Sequence, residues 1–330
     1  MKHYIIPALS IILLFALIFG CTQKQVELPK EVVIATGPSG GTWFSIGKLL
    51  EQLYTEKLVK TTSVSGGGVQ NVIDVNLGHV EMGFSAAVLG KAALKGTEPF
   101  TSPQTSVVCI GNLYKQYFYC IVRHDFAYKN KIETIDELFE LDIPIRIALL
   151  KKGTVSEFVC KHVLNYFGQT YEDIQADGGI VEFGTYNSGA IHLVQDKIDA
   201  FLFMASSPAD IVMDLSKQMD ISILTCSQKL LNAMRHKLGT TSHELKKHTY
   251  SFLPHDTHVI GDYTVLLVVK SLPVSGVYAL TKTLFKNTKI LSRSEPVLKQ
   301  VQAKNAFIDT GFPLHSGAEK YYKDCGLWQE

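Results

Sequence analysis

Val32-Val33-Ile34-Ala35-Thr36-Gly37-Pro38-Ser39-Gly40-Gly41-Thr42-Trp43-Phe44-Ser45-Ile46-Gly47 is the stretch from which the fold can be read. A β-branched run gives way to small residues and then to an apolar-periodic segment, Phe44 to Leu53. That order predicts strand, glycine-rich turn and helix. Such a turn presents backbone N–H groups at a helix N-terminus, where the macrodipole favours negative charge, so an anion is expected there.

The unit recurs downstream. Thr61 to Gly68 runs into a helical pattern at Val69, Val72, Ile73 and Leu77, with Gly78 as its stop. Val80 to Ser85 reads as a strand and Ala86 to Leu94 as a helix ended by Gly96. Three strand–turn–helix units in a row are the grammar of a parallel sheet, whose ligands sit beyond the strands' carboxyl ends. Thr105 to Asn112 and Gln116 to Val122 read as strands crossing to a second lobe. There the grammar restarts: strand Ile145 to Leu150, turn Lys151-Lys152-Gly153-Thr154, helix Val155 to Phe167. A helix from about Ser188 to Gln195 precedes strand Ile198 to Met204 and turn Ala205-Ser206-Ser207-Pro208, with Pro208 near helical position N1. Helix Ala209 to Lys217 and strand Ile221 to Cys226 close this lobe. The expected fold class is α/β, with two α/β lobes and a ligand cleft between them. Residues 31–121 and 225–330 form lobe 1 and residues 122–224 lobe 2, with a hinge near Cys120–Val122 and Leu224–Cys226. Leu230 to Tyr250 looks helical, Val259 to Val269 β-forming, and Val277 to Phe285 and Val297 to Ala303 helical. Ser316 and Glu319 look like a capping box opening the last helix.

Composition suits this architecture: 330 residues, 46% hydrophobic, leave room for two lobes of about 100–150 residues each. With 32 basic against 31 acidic residues and no basic stripe, nothing suggests nucleic acid as a partner. Lys2 and His3 precede an apolar run from Tyr4 to Phe19, shorter than the roughly 20 residues a spanning helix needs, which reads as a secretory signal. Thr22 to Lys30 follows as a polar leash. The remaining cysteines, Cys109, Cys120, Cys160, Cys226 and Cys325, fit no zinc framework; most are expected to be buried, and no disulfide pair is singled out.

Several chemistries fail on spacing. Around Gly47-Lys48 a phosphate-binding loop would need a hydroxyl where Leu49 stands. His243 and His248 are five apart, so they cannot share a helical face as a zincin pair must. His255 and His258 lack a third ligand, and Ser39, Ser65 and Ser85 lack a nearby base. As hydrogen-bond donors at successive strand ends, those serines need no base. Trp43 stands at the helix mouth, suited either to the core or to walling off a ligand, and Lys152 or its neighbour offers a countercharge from the matching turn.

IATGPSGGTWFSIGKLLEQL (34–53) resembles the N-terminal signature of TAXI-type solute-binding proteins of TRAP transporters. The similarity continues in SVSGGGVQNVIDVNLGHVEMGFS (63–85), YALTKTLFKN (278–287) and PLHSGAEKYYKDCGL (313–327). The resemblance implies a type II periplasmic-binding-protein-like fold that closes on glutamate-like amino acids or dicarboxylates and delivers them to sodium-coupled permease subunits. It places ligand against Gly40, Gly41, Thr42 and Trp43, then Ser65, Gly66, Gly67, Asn71 and Ser85, and across the cleft Thr154, Ser206 and Ser207; Ser39 and Lys152 join these candidate ligand-binding residues from the reading of the turns themselves. Ile18-Phe19-Gly20-Cys21 is similar to a lipobox, implying residues 1–20 as a lipoprotein signal peptide, Cys21 as an acylated N-terminus, and residues 21–30 as a tether. Two departures stand out: Trp43 where the family has tyrosine, and Lys152-Gly153-Thr154-Val155-Ser156 where it has a Gly-Ser-Gly-Thr-type turn followed by arginine. The expectation is a monomeric, exported, lipid-anchored binding protein without catalytic residues, cofactor or metal. A ligand-sensing lipoprotein signalling to a membrane kinase and an exported enzyme are the alternatives.

Overall fold

The computed structural model describes residues 26–141 and 143–328, so the expected signal segment and Cys21 lie outside the described residues. Lobe 1 opens with β1 (Glu31–Ala35), α1 (Thr42–Lys57), β2 (Lys60–Val64), α2 (Gly68–Leu77), β3 (Met82–Ala86) and α3 (Gly90–Lys95). The chain then runs through β4 (Val107–Arg123), α4 (His124–Asn130), α5 (Ile135–Phe139), β5 (Arg146–Leu150), α6 (Val155–Tyr166) and α7 (Tyr171–Ala176). It continues with β6 (Ile180–Gly184), α8 (Tyr186–Val194), β7 (Ala200–Ala205), α9 (Asp210–Gln218), β8 (Ile221–Ile223) and α10 (Gln228–Leu238). β9 (Thr241–Leu245), β10 (Thr257–Val269), α11 (Val274–Ser294) and α12 (Ser316–Asp324) complete it.

The strands form one sheet in the order β2-β1-β3-β10-β4-β7-β5-β6, with β8 on β4 and β9 on β10. β1 pairs in parallel with β2 and β3, and β5 with β6 and β7, so each lobe owns a parallel block. The long strands join the lobes: β10 runs antiparallel to β3 of the first block, β4 antiparallel to β7 of the second, and β4 and β10 antiparallel to each other. The two strands expected at 105–112 and 116–122 are thus one, of 17 residues. β4 passes from β10 to β7 at Tyr117, and β10 passes from β9 to β3 between Gly261 and Thr264, beside a register shift at Thr264/Val265. This exchange of partners lies three residues before the Cys120–Val122 segment read from sequence as the hinge.

Helical periodicity misleads where tertiary packing overrides it. Leu230 to Tyr250 splits at Gly239, whose left-handed φ of 79° ends α10, and the chain then pairs with β10 as a strand. His243 on β9 is a packing residue: it is buried, its Nδ1 lies 3.0 Å from the Gln116 carbonyl, and a Cβ on Gly261 would sit 2.2 Å from its ring. Val297 to Ala303 contracts to a 3₁₀ turn, Pro296–Gln300. α12 is capped by His315, whose Nδ1 accepts the Gly317 N–H at 3.0 Å, so Ser316 is the first helical residue rather than the cap. Pro208 likewise precedes the cap of α9, Ala209. In the segment expected as a tether, Leu28 packs on the lobe 1 core and the Glu27 N–H donates to the Ser275 hydroxyl at 3.2 Å. Cys109, Cys120, Cys160 and Cys226 are buried free thiols and Cys325 is an exposed one.

Candidate functional site

The carboxyl ends of β1 and β2 in lobe 1 face those of β5 and β7 in lobe 2, and the turns that follow them enclose a cavity of about 40 Å³. One wall is Gly37, Pro38, Gly41, Thr42 and Trp43, the next Gly67 and Gly68. Across the cleft stand Leu150, Thr154, Val155, Ser156, Tyr186, Met204, Ala205 and Ser206, with Tyr114 and Gln116 of β4 as the floor.

Gly41 and Gly67 occupy the N-caps of α1 and α2 in extended conformation, and neither helix has a side-chain cap. Serine or threonine usually fills such positions and satisfies a first-turn donor. With glycine there, no cap side chain takes the first-turn N–H groups and the positive ends of two helix dipoles face the cavity, although the Val69 N–H of α2 and the Phe44 N–H of α1 are taken by backbone carbonyls. α6 differs: the Thr154 hydroxyl accepts from the Glu157 N–H at 3.2 Å and donates to the Lys151 carbonyl at 2.8 Å.

The lobes touch. The Val69 N–H donates to the Gly153 carbonyl at 3.2 Å, and the Thr42 and Ser206 hydroxyls are 3.0 Å apart. A Cβ on Gly68 would come within 2.3 Å of Val155 Cγ2, so only glycine permits this approach. Gly68→Ala is expected to weaken ligand binding about tenfold while leaving α2 intact, since alanine is the better helix former by roughly 1 kcal/mol. Adding Val155→Ala makes room and should restore affinity; titration of the single and double variants checks this, and equal affinities for wild type and Gly68→Ala would refute it.

Thr264 organises the floor. Its Oγ1 accepts the Trp43 Nε1–H at 2.9 Å and the Gln116 amide N–H at 2.6 Å. Trp43 also stacks on Phe84, with centroids 6.1 Å apart, so it serves both core and cavity wall. The Tyr114 hydroxyl is buried at the floor and has no hydrogen-bond partner among the described residues. Burial pushes its pKa well above the ordinary phenol value; the Thr264 hydroxyl and Trp43 indole nearby offset only part of that rise and do not reach hydrogen-bonding geometry. Tyr186 is satisfied, donating to the Met204 carbonyl at 2.8 Å.

Of the residues expected at the site, Gly41, Thr42, Trp43, Gly67, Thr154 and Ser206 line the cavity. Ser39 and Gly40 are exposed, and the φ of +84° at Gly40 forms the turn. Ser65 and Ser85 donate to the carbonyls of Gly37 (3.3 Å) and Gly68 (3.0 Å), holding the glycine turns in place. Asn71 is fully buried; its amide N–H groups donate to the Thr36 and Phe84 carbonyls at 2.7 and 2.8 Å, and its oxygen accepts the Gly67 N–H at 3.1 Å. A Cβ on Gly66 would meet that oxygen at 2.1 Å. Ser207 stands beside the Tyr119 and Tyr250 phenols. Lys152 does not supply the expected countercharge to the cavity: its Nζ lies over the Phe183 and Tyr171 rings, 5.0 and 5.8 Å from their centroids, where cation–π attraction holds it. None of the described residues lining the cavity is charged.

Among the polar lining residues, Tyr114, Gln116, Ser156 and Tyr186 are those that sequence reading missed, together with Thr264 behind them. The only hint was a polar residue amid an apolar strand, at Gln116 and again at Thr264.

The profile of the NMT1-like family matches residues 34–326. The chain belongs to the NMT1-like family. Among solved structures, this NMT1-like chain is similar to the periplasmic binding protein BugD, with 14% identity, 92% of this chain and 100% of that chain covered, and a TM-score of 0.53. It is also similar to the periplasmic aliphatic sulphonate binding protein SsuA from Escherichia coli (16% identity, 90% and 84% covered, TM-score 0.44). A third match is an ancestral arginine-binding protein bound to arginine (11% identity, 83% and 99% covered, TM-score 0.48). At these identities the likeness concerns the fold: this NMT1-like chain has the two-lobed α/β architecture of periplasmic binding proteins.

Proposed function

We propose that this chain is the extracytoplasmic solute-binding subunit of a TRAP-type transporter, lipid-anchored through Cys21, which captures a small carboxylate and delivers it to a membrane permease. The observation that carries the reading is the convergence of two helix N-termini without side-chain caps on a cavity enclosed between two contacting lobes. Backbone N–H groups and helix dipoles suit an oxyanion. Lobes joined by two strands that exchange partners suit hinge closure, in which ligand stabilises the closed state by its differential affinity for it. Among the described residues no helix is long and apolar enough to cross a membrane.

A thermal-shift screen of amino acids and mono-, di- and tricarboxylates tests the binding reading: at least one small acid should raise the melting temperature, and a screen in which none does would refute it. Uptake of that acid in cells should depend on the sodium gradient; dependence on ATP hydrolysis instead would assign a different transporter class.

Trp43 provides an optical readout. It lines the cavity, whereas Trp328 packs on Phe307 with ring centroids 5.2 Å apart. Ligand should change the emission of the wild type and leave that of Trp43→Phe unchanged, and the same response in both would remove Trp43 from the site.

A further inference from the structure

We infer that the cavity accepts a monocarboxylate with a short apolar body, its carboxylate hydrogen-bonded by the Tyr114 hydroxyl and the N-termini of α1 and α2. This rests on the carboxylate reading above and narrows it. Tyr114 is 2% exposed and its hydroxyl, in the cavity floor, has no partner among the described residues. Buried hydroxyls are almost always paired, so this donor is satisfied when the cavity holds an acceptor. The adjacent Thr264 hydroxyl uses both lone pairs on Trp43 and Gln116. That leaves the Tyr114 hydroxyl as the unpaired donor of the floor among the described residues, and the two helix N-termini without side-chain caps add donors from the side.

The rest of the lining limits what else the ligand can carry. A second carboxylate would lie among Leu150, Val155 and Met204 with no cation in the described lining, and an isolated buried charge is strongly disfavoured. An α-ammonium would find no carboxylate there. The volume of about 40 Å³ holds roughly three waters, which suits a short body. On these grounds glutamate-like amino acids and dicarboxylates fit the cavity less well than a simple acid.

The test is calorimetric titration of the protein with acetate, propionate, butyrate and pyruvate against succinate, 2-oxoglutarate and glutamate. Tyr114→Phe, which keeps the ring in place, is titrated with the tightest of them. The tightest monocarboxylate should bind at least tenfold better than any dicarboxylate or glutamate, and Tyr114→Phe should weaken it about tenfold or more, since hydrogen bonds to charged groups are the stronger kind. A dicarboxylate or glutamate binding best would overturn this inference and leave the carboxylate reading standing. Failure of every acid would overturn both. Unchanged affinity in Tyr114→Phe, with unliganded melting temperature also unchanged, would remove Tyr114 from recognition and overturn the inference as stated.

Discussion

Replacing Asn71 with alanine is expected to destabilise the protein by about 3–5 kcal/mol, because it strips partners from several buried backbone groups at once. The side chain is wholly buried, and its amide bridges three segments: the end of β1 at Thr36, β3 at Phe84 and the turn before α2 at Gly67. Each group left without a partner costs about 1–3 kcal/mol, since no water reaches it to substitute. Asn71→Asp should be no better: two carbonyls that now accept would face a carboxylate that cannot donate, and a buried charge would be added. Chemical denaturation reads the loss directly, and a destabilisation below about 1 kcal/mol for Asn71→Ala would show that the amide does not hold the turns. Because Gly66 leaves room for the same oxygen, Gly66→Ala should fail in the same manner.

The dependence of stability on pH should be governed by two opposed buried groups near the lobe junction. Asp262 on β10 is 3% exposed, and burial raises its pKa from 3.8 to about 7, against the lowering effect of the Val88 and Tyr263 N–H groups. A carboxyl whose pKa is higher in the folded state stabilises below its unfolded value, and that stability is lost as pH rises through 7. The loss is about 4 kcal/mol. His243, on the neighbouring strand β9, is 8% exposed, and burial lowers its pKa from 6.5 to about 4. A histidine held neutral contributes stability above pH 6.5 that is lost as pH falls through 4, about 3 kcal/mol. Between pH 4 and 6.5 the two contributions run in opposite directions and largely cancel. Asp262→Asn should gain on the wild type progressively toward pH 8, and His243→Gln should gain progressively toward pH 4. Denaturation series for the three proteins across pH 4–8 check this, and parallel curves would show that neither group titrates as its burial implies.

The strand–turn–helix grammar of lobe 1 was legible because its signals are local. β-branched runs, glycine turns and a 3.6-residue period each act within about ten residues. The positions of Gly41, Thr42, Trp43 and Gly67 at the cavity follow from that grammar, since a turn after a parallel strand lies at the sheet's carboxyl edge. Asn71 and Lys152 were less legible. Asn71 sits where a helix N-terminus could offer it to ligand, but three backbone segments converge on it. Lys152 sits in the matching turn of lobe 2, but its long side chain finds Tyr171 and Phe183. Local sequence carries no information about either set of partners.

The sequence by itself determined that this protein is built from parallel strands, glycine turns and helices in two lobes, and that glycine turns lead into the N-termini of its first two helices. Tertiary structure alone decided what faces them. Tyr114 and Gln116 reach the cavity because β4 passes from one lobe to the other at that point, and Thr264, beside a register shift of β10, supports Gln116 and Trp43 from behind. A strand's two-residue period assigns a side chain to a face of the sheet, while only the pairing of distant strands assigns that face to a cavity. The absence of charge from the described lining is settled in the same way, by which side chains the closed lobes admit and which they turn outward.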